Sequence, residues 1–221
     1  MDLGLQNKRV LVTGASQGIG LGIAISFLQE GSKVCIVSRG SEKLYKSKQK
    51  LDIKFDKKNV LLEKCDFTRK HSIKLLEKRI KKKLGGIDVL VANVGNGASV
   101  PEPVPNEAQW EETWNVNFNS ALFTARSFMP MLRDSKGSLL FISSIAGIEA
   151  FGAPVDYSTS KTAIISFAKN VSRKLAKEVR VNVIAPGNIW FSNGSWDKKM
   201  KTDKKQVDKI LSSVPMERFG T

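Results

Sequence analysis

Arg9-Val10-Leu11-Val12-Thr13-Gly14-Ala15-Ser16-Gln17-Gly18-Ile19-Gly20 is a short β-branched run that enters a glycine-rich turn and leads into residues of helical period at 19–30. Its apolar centre does not alternate with polar residues, as a strand covered on both faces requires. Glycines in such a turn let backbone N–H groups approach a phosphate, which would then rest on the positive end of the following helix. Taken alone the turn is weak evidence, and its G-x-x-x-G-x-G spacing departs from the common G-x-G-x-x-G fingerprint. The rest of the chain decides what it means.

Outward from the turn the same unit recurs. Runs at 33–38, 60–65, 87–93, 137–143 and 179–185 alternate with stretches of helical period at 42–53, 70–84, 107–132 (two helices) and 155–176. Parallel strands need right-handed helical crossovers, so this order predicts an α/β fold, a Rossmann-like doubly wound parallel sheet with helices on both faces. No linker or composition break divides residues 1–221, which predicts a single NAD(P)-binding domain with a substrate lid around 188–212. In that setting Gly14, Gly18 and Gly20 read as a dinucleotide site.

The end of the second strand is where such folds read the ribose. An acid there would bind the 2′-hydroxyl of NAD, whereas this sequence offers Ser38-Arg39, a hydroxyl and a guanidinium. NADP is therefore the expected cofactor, with NAD as the alternative. Asp66, at the end of the third strand, suits either a hydrogen bond from the adenine amino group or the N-cap of the next helix.

The fifth strand ends in Ser143-Ser144, and the helix that follows carries Tyr157 and Lys161 four residues apart. That spacing puts them on one face with Cβ atoms about 6 Å apart. An ammonium group near a phenol is expected to lower its pKa and make it a usable acid or base near neutrality. Ser144, arriving at the carboxyl edge of the sheet, is placed to hydrogen-bond the same substrate oxygen.

With 41% hydrophobic and 26% charged residues, the chain is neither disordered nor a multi-span membrane protein. It has 36 basic and 21 acidic side chains and a net charge of +15. The lysines of 43–50 and 70–83 interleave with Leu44, Leu51, Ile73, Leu76 and Ile80 at helical spacing, the pattern of a solvated face over a buried one. No aromatics for stacking bases lie between them, which argues against nucleic acid. Cys35 and Cys65 lack metal-type spacing and read as buried thiols in a reducing compartment. With no secretory signal or spanning stretch, a cytoplasmic protein is expected. His71, the one histidine, excludes a His-based triad or a multi-histidine metal site and is expected on a solvated helix; no metal is expected.

Across its whole length the chain resembles the short-chain dehydrogenase/reductase family. The resemblance rests on Thr13 to Gly20, Asp66, Val91-Ala92-Asn93-Val94-Gly95, Asn115-Val116-Asn117-Phe118, Ser144, Tyr157 with Lys161, and Asn182-Val183-Ile184-Ala185-Pro186-Gly187, in the family's order. Overall similarity runs towards the 3-oxoacyl-thioester reductase-like and bacterial sugar-modifying branches. The resemblance implies a small-molecule carbonyl or alcohol as substrate and a homodimer or homotetramer.

It also implies roles. Tyr157 would donate a proton to the substrate carbonyl oxygen as hydride arrives from the nicotinamide, and Ser144 would stabilise that oxygen. Lys161 would bind the nicotinamide ribose and tune Tyr157, and Asn117 would help hold a water chain. Cofactor contacts would come from Gly14, Ser16, Gln17, Gly18, Ile19 and Gly20 in the turn, then from Arg39, Asp66 and Phe67. Asn93, Gly95, Pro186, Gly187 and Ile189 would complete them. A regulator that binds cofactor without catalysis would lack the acid, so the presence of Tyr157 argues against that class.

The sequence departs from the family in three places. Ala92 replaces the first Asn of the usual Asn-Asn-Ala-Gly, and Phe191 stands where a Thr usually meets the nicotinamide amide. The sequence ends at Arg218-Phe219-Gly220-Thr221, before the family's usual last strand. The sixth strand is accordingly expected at an edge of the sheet, where apolar Val179, Val181, Val183 and Ile184 would favour association.

Overall fold

Strands β1 (Arg9–Thr13), β2 (Lys33–Ser38), β3 (Val60–Lys64), β4 (Val89–Ala92), β5 (Ser138–Ile142) and β6 (Arg180–Ile184) form one parallel sheet in the order β3-β2-β1-β4-β5-β6. The computed structural model describes residues 1–221, which form two compact units, Met1–Ala185 and Pro186–Thr221. The sheet belongs to the first unit. Its strands are joined through α1 (Gly18–Gln29), α2 (Ser41–Lys54), α3 (Lys70–Leu84), α4 (Glu107–Trp114), α5 (Ser120–Asp134) and α6 (Val155–Leu175). This is the doubly wound α/β fold expected from the alternation of runs, with β6 on an edge.

Two apolar layers flank the sheet. One carries Leu11, Cys35, Leu90 and Phe141 against Ile73, Leu76 and Ile80 of α3, Phe128 of α5 and Ile164 of α6. The other carries Val10, Val12, Ile36 and Val91 against Ala24 and Leu28 of α1 and Leu44 and Leu51 of α2. Burial of apolar surface on both faces explains why the central strands need no polar alternation. The lysines of α2 and α3 lie mainly on the solvent face, as expected from their spacing, and His71 is exposed on α3. Arg79 and Lys83 turn back to the buried Glu63 of β3, at 2.6 and 2.7 Å. Cys35 and Cys65 are both free and buried.

The stretch at 107–132 differs from two separate helices. α4 runs through a π-helical turn, Asn115–Asn119, directly into α5. Such bulges fit an extra residue into a continuous helix and recur at functional sites. This one carries Asn117.

Strand order reverses at β1, whose two neighbours are β2 and β4. Ligands of open α/β sheets bind at such a switch point, outside the carboxyl ends of the strands. Register brings these ends level: Thr13 lies beside Val37, Val12 beside Val91, Ala92 beside Phe141, and Ile142 beside Ile184.

In the second unit, α7 (Ser195–Thr202) and α8 (Lys204–Ser212) follow a short parallel bridge between Ile189 and Gly220. Trp190 N–H donates to the Gly220 carbonyl at 2.8 Å, and Gly220 N–H to that of Asn188 at 2.9 Å. Trp196 packs on Phe219 with ring centroids 5.1 Å apart, so this aromatic packs within its own unit. No helix of the chain is long and apolar enough to cross a membrane.

Candidate active site

The glycine turn is held by side chains acting on backbone. Gly14 and Gly18 have φ of +64° and +57°, the left-handed region that glycine enters without a Cβ penalty. Gly20 serves a different need, because a Cβ there would lie 2.5 Å from Asn93 Nδ2 and 2.6 Å from the Gly14 carbonyl oxygen. The Asn93 amide donates to the carbonyls of Thr13 and Gly14 at 3.0 and 3.2 Å, and its N–H donates to Thr13 Oγ1 at 2.9 Å. From the other side Ser47 Oγ of α2 donates to the Ser16 carbonyl at 2.8 Å, and Lys43 Nζ donates to Gln17 Oε1 at 3.2 Å.

The N-terminus of α1 starts at this turn with no side-chain cap and no acid in its first turn. Its leading N–H groups, including those of Gly18, Ile19 and Gly20, therefore have neither an intrahelical partner nor a competing carboxylate. Such a donor set fits the pyrophosphate of a dinucleotide. Asn93, expected as a cofactor contact, spends its amide on the turn and so acts as its clamp.

At the ribose end, Arg39 is exposed at the end of β2, and Ser38 Oγ turns back to the Gly40 carbonyl at 3.1 Å. Asp66 is not the N-cap of α3: that position is Arg69, without a side-chain cap. Asp66 Oδ1 instead accepts from Thr68 N–H and Oγ1 at 3.0 and 2.7 Å, closing a local turn. Burial would raise its carboxyl pKa, but the Thr68 bonds and the nearby Arg39 and Arg69 hold it below the usual range. Phe67 is 2% exposed and its side chain belongs to the core, so a contact with a cofactor would have to come from its backbone.

On the far side of the switch point, Ser144, Tyr157, Lys161 and Asn117 come together. Ser143 Oγ donates to the Lys161 carbonyl at 2.8 Å and Thr162 Oγ1 to that of Gly147 at 2.8 Å, fastening the end of β5 to α6. Lys161 Nζ is buried, donates to the Ile142 carbonyl at 3.2 Å, and lies 5.8 Å from the centre of the Tyr157 ring. A Cβ on Gly95 would lie 2.9 Å from both Lys161 Nζ and Asn117 Oδ1, so glycine here lets the loop after β4 close over them. Asn117 is fully buried. Its amide exchanges hydrogen bonds with the backbone of Asn96, 3.0 Å each way, and donates to the Thr113 carbonyl at 3.0 Å.

Electrostatics correct the expected tuning of Tyr157. Burial pushes the phenol above its usual value, and the hydrogen-bonded Ser144 hydroxyl offsets only part of that rise. Burial also lowers Lys161 to about 8. The Lys161 ammonium, 5.8 Å from the centre of the ring, does not offset the desolvation of the phenol.

Sequence reasoning missed Asp156. This carboxylate is 1% exposed in the first turn of α6; it accepts from Ser99 Oγ through Oδ2 and from Tyr157 N–H through Oδ1 at 2.8 Å. Burial would raise its pKa, but bonds from Ser99, Thr113 and the local N–H groups outweigh that and hold it low. An acid in a first helical turn ordinarily signals only the helix dipole, so nothing in the sequence pointed to Ser99 or Thr113. Ser99 and Thr113, with Asn96 and Asn117, line a cavity of about 250 Å³. Pro186, Gly187 and Ile189 belong to the second unit.

The fold is a Rossmann-like parallel sheet with the glycine turn at its switch point. The chain belongs to the short chain dehydrogenase family, whose model matches residues 8–201. An uncharacterized oxidoreductase of Staphylococcus saprophyticus is 33% identical over 210 residues, spanning 92% of this chain and 88% of its own. The 3-oxoacyl-acyl-carrier-protein reductase MabA of Mycobacterium tuberculosis is 30% identical over 217 residues, 97% of this chain and 81% of its own. Among solved structures, L-sorbose reductase of Gluconobacter frateurii, complexed with NADPH and L-sorbose, matches with a TM-score of 0.91 and 27% identity over 100% of this chain and 87% of its own.

Proposed function

We propose that the protein is an NADP(H)-dependent reductase that interconverts a carbonyl and a secondary alcohol, with Tyr157 as general acid and base. The observation that carries this reading is the convergence of Ser144, Tyr157, Lys161 and Asn117 at the carboxyl edge of the sheet, across the switch point from an uncapped helix N-terminus. A nicotinamide cofactor, when bound, would supply or accept the hydride. With its pKa above the ordinary phenol value, Tyr157 carries its proton at neutral pH and has one to give to a carbonyl oxygen. Ser144 steadies that oxygen by hydrogen bonding. Lys161, a cation near neutrality held against the Ile142 carbonyl, is placed to meet a ribose hydroxyl and to return a proton to Tyr157. Asn117 holds the loop after β4 through Asn96, beside a polar cavity in which water would connect the site to solvent.

Arg39 favours NADP over NAD because a guanidinium, and no acid, stands at the end of β2. Residues 188–212 form the substrate lid in this reading. The substrate is a 3-oxoacyl thioester or a keto-sugar, since MabA is a 3-oxoacyl reductase and the Gluconobacter neighbour is bound to L-sorbose. A homodimer or homotetramer is supported by an apolar groove lined by Leu122, Met129, Phe167 and Val171 on α5 and α6. Two free buried thiols support a cytoplasmic setting. The experiment is to follow NADPH and NADH oxidation by absorbance with ketones, keto-sugars and 3-oxoacyl thioesters. Turnover with NADPH on at least one of them is expected, and binding of reduced cofactor without any turnover would overturn the reading.

A further inference from the structure

We infer that Asp156 is a positioning residue for this site: its buried carboxylate ties the loop after β4 and helix α4 to the start of α6, and so holds Gly97 on the ring of Tyr157. The inference rests on the proposed reductase reading for its kinetic consequence, though not for its structural one.

The two carboxylate oxygens do different things. Oδ1 accepts the Tyr157 N–H at 2.8 Å, a helix-capping bond of the kind a first-turn acid makes where Pro154, at the N-cap, offers no side-chain cap. Oδ2 leaves the helix and accepts from Ser99 Oγ, 57 residues earlier in the chain. Thr113 of α4 adds a further side-chain bond to the same carboxylate. Capping alone explains the first oxygen and leaves the second without a reason. Burying a full charge is costly unless every lone pair finds a donor, and an uncharged residue would pack the same volume at lower cost.

The tether ends where the chemistry lies. Between Gly95, whose closeness to Lys161 Nζ and Asn117 excludes a Cβ, and Ser99, which Asp156 holds, the loop passes over Tyr157. A Cβ on Gly97 would stand 3.8 Å from Tyr157 Cε2 and Cζ, ordinary contact with the ring at the carbon bearing the hydroxyl. Ala98 N–H donates to Asn96 Oδ1 at 2.9 Å, and Asn96 is in turn held by Asn117. The loop is thus anchored at Asn96 by Asn117 and at Ser99 by Asp156, with the Tyr157 contact between the anchors. Releasing the second anchor frees the loop to leave the phenol, and small misplacements at a reacting group cost up to about a hundredfold in rate.

The test uses the full chain with Ser99→Ala and Asp156→Asn, singly and together. Ser99→Ala is the clean variant, because it leaves the Oδ1 cap intact. With the wild-type carbonyl substrate, kcat should fall about tenfold to a hundredfold, the range from one lost charge-assisted hydrogen bond to a displaced reacting group. NADPH binding stoichiometry and NADPH affinity should stay as in wild type, while Tm falls by a few degrees because Asp156 Oδ2 loses a donor. The double variant should be no worse than the poorer single one, since both remove one interaction. Hydrogen–deuterium exchange at 94–100 should quicken in each variant. Unchanged kcat and exchange in Ser99→Ala, additive losses, or a kcat loss matched by lost NADPH stoichiometry would each overturn the inference. If wild type binds NADPH but turns over no carbonyl, the reductase reading fails. Exchange then decides alone: faster exchange at 94–100 in Ser99→Ala supports the tether, and unchanged exchange overturns it.

Discussion

The two sides of the switch point are built in opposite ways. On the β1 side the working groups are backbone N–H groups, and side chains such as Asn93, Thr13 and Ser47 hold that backbone in place. On the β5 side the working groups are side chains, and backbone holds them: the Ile142 carbonyl takes Lys161 Nζ, and Gly95 makes room for it. A site made of backbone constrains residue identity at every position where a Cβ would intrude. A site made of side chains constrains position through partners far away in sequence. Binding and chemistry should therefore fail separately.

The largest expected effect lies on the side-chain side. Tyr157→Phe keeps the ring and removes the transferable proton, so kcat should fall by roughly two to four orders of magnitude. Steady-state turnover at saturating NADPH checks this, and near-normal turnover would place the acid elsewhere.

Next comes Lys161. Its folded value of about 8 lies below the ordinary 10.5. Below pH 8 both folded and unfolded chains hold the proton, and the folded state bears the full cost of a buried cation. Between those values only the unfolded lysine is protonated, so this group makes stability rise with pH. Relative to Lys161→Met, wild type should gain on the order of 3 kcal/mol of stability between pH 7 and pH 10.5. Denaturant melts of both across that range measure it; a pH-independent gap would contradict the burial argument.

A smaller effect belongs to Arg39 at the ribose end. If it meets a 2′-phosphate, Arg39→Ala should lose roughly tenfold to 150-fold of the preference for NADPH over NADH. Fluorescence titration of both cofactors into both proteins tests this, and equal wild-type affinities would remove NADP as the cofactor. The smallest effect is expected from Lys74→Gln with Lys78→Gln on the solvent face of α3. Unchanged Tm and unchanged NADPH binding are predicted, and a loss of either would show that this face does more than stay hydrated.

The same contrast explains what was legible in the sequence. Strand runs and the turn were readable because Val10 to Val12 and Gly14, Gly18 and Gly20 leave few alternatives once sheet burial and crowding are imposed. Tyr157 and Lys161 were readable because four residues on a helix fix a shared face. The direction of the Tyr157 shift was not, since burial is set by the loop after β4 and the Lys161 distance by the Ile142 carbonyl. Asp156 was missed because its partner Ser99 sits in a loop whose sequence has no period. Motif position does not say which way a side chain turns: that of Phe67 enters the core, and the Asn93 amide bonds the glycine turn.

The most direct test of this division measures NADPH affinity and turnover together for Tyr157→Phe and Gly20→Ala. A Cβ at Gly20 must displace Asn93 Nδ2 and the Gly14 carbonyl, 2.5 and 2.6 Å away, which distorts the phosphate turn. Overpacking of this kind costs about 1–3 kcal/mol, so NADPH affinity should fall roughly fivefold to 150-fold in Gly20→Ala, with turnover at saturating NADPH largely kept. Tyr157→Phe should show the reverse, wild-type affinity with turnover lost. Both variants losing affinity and turnover in parallel would contradict the account.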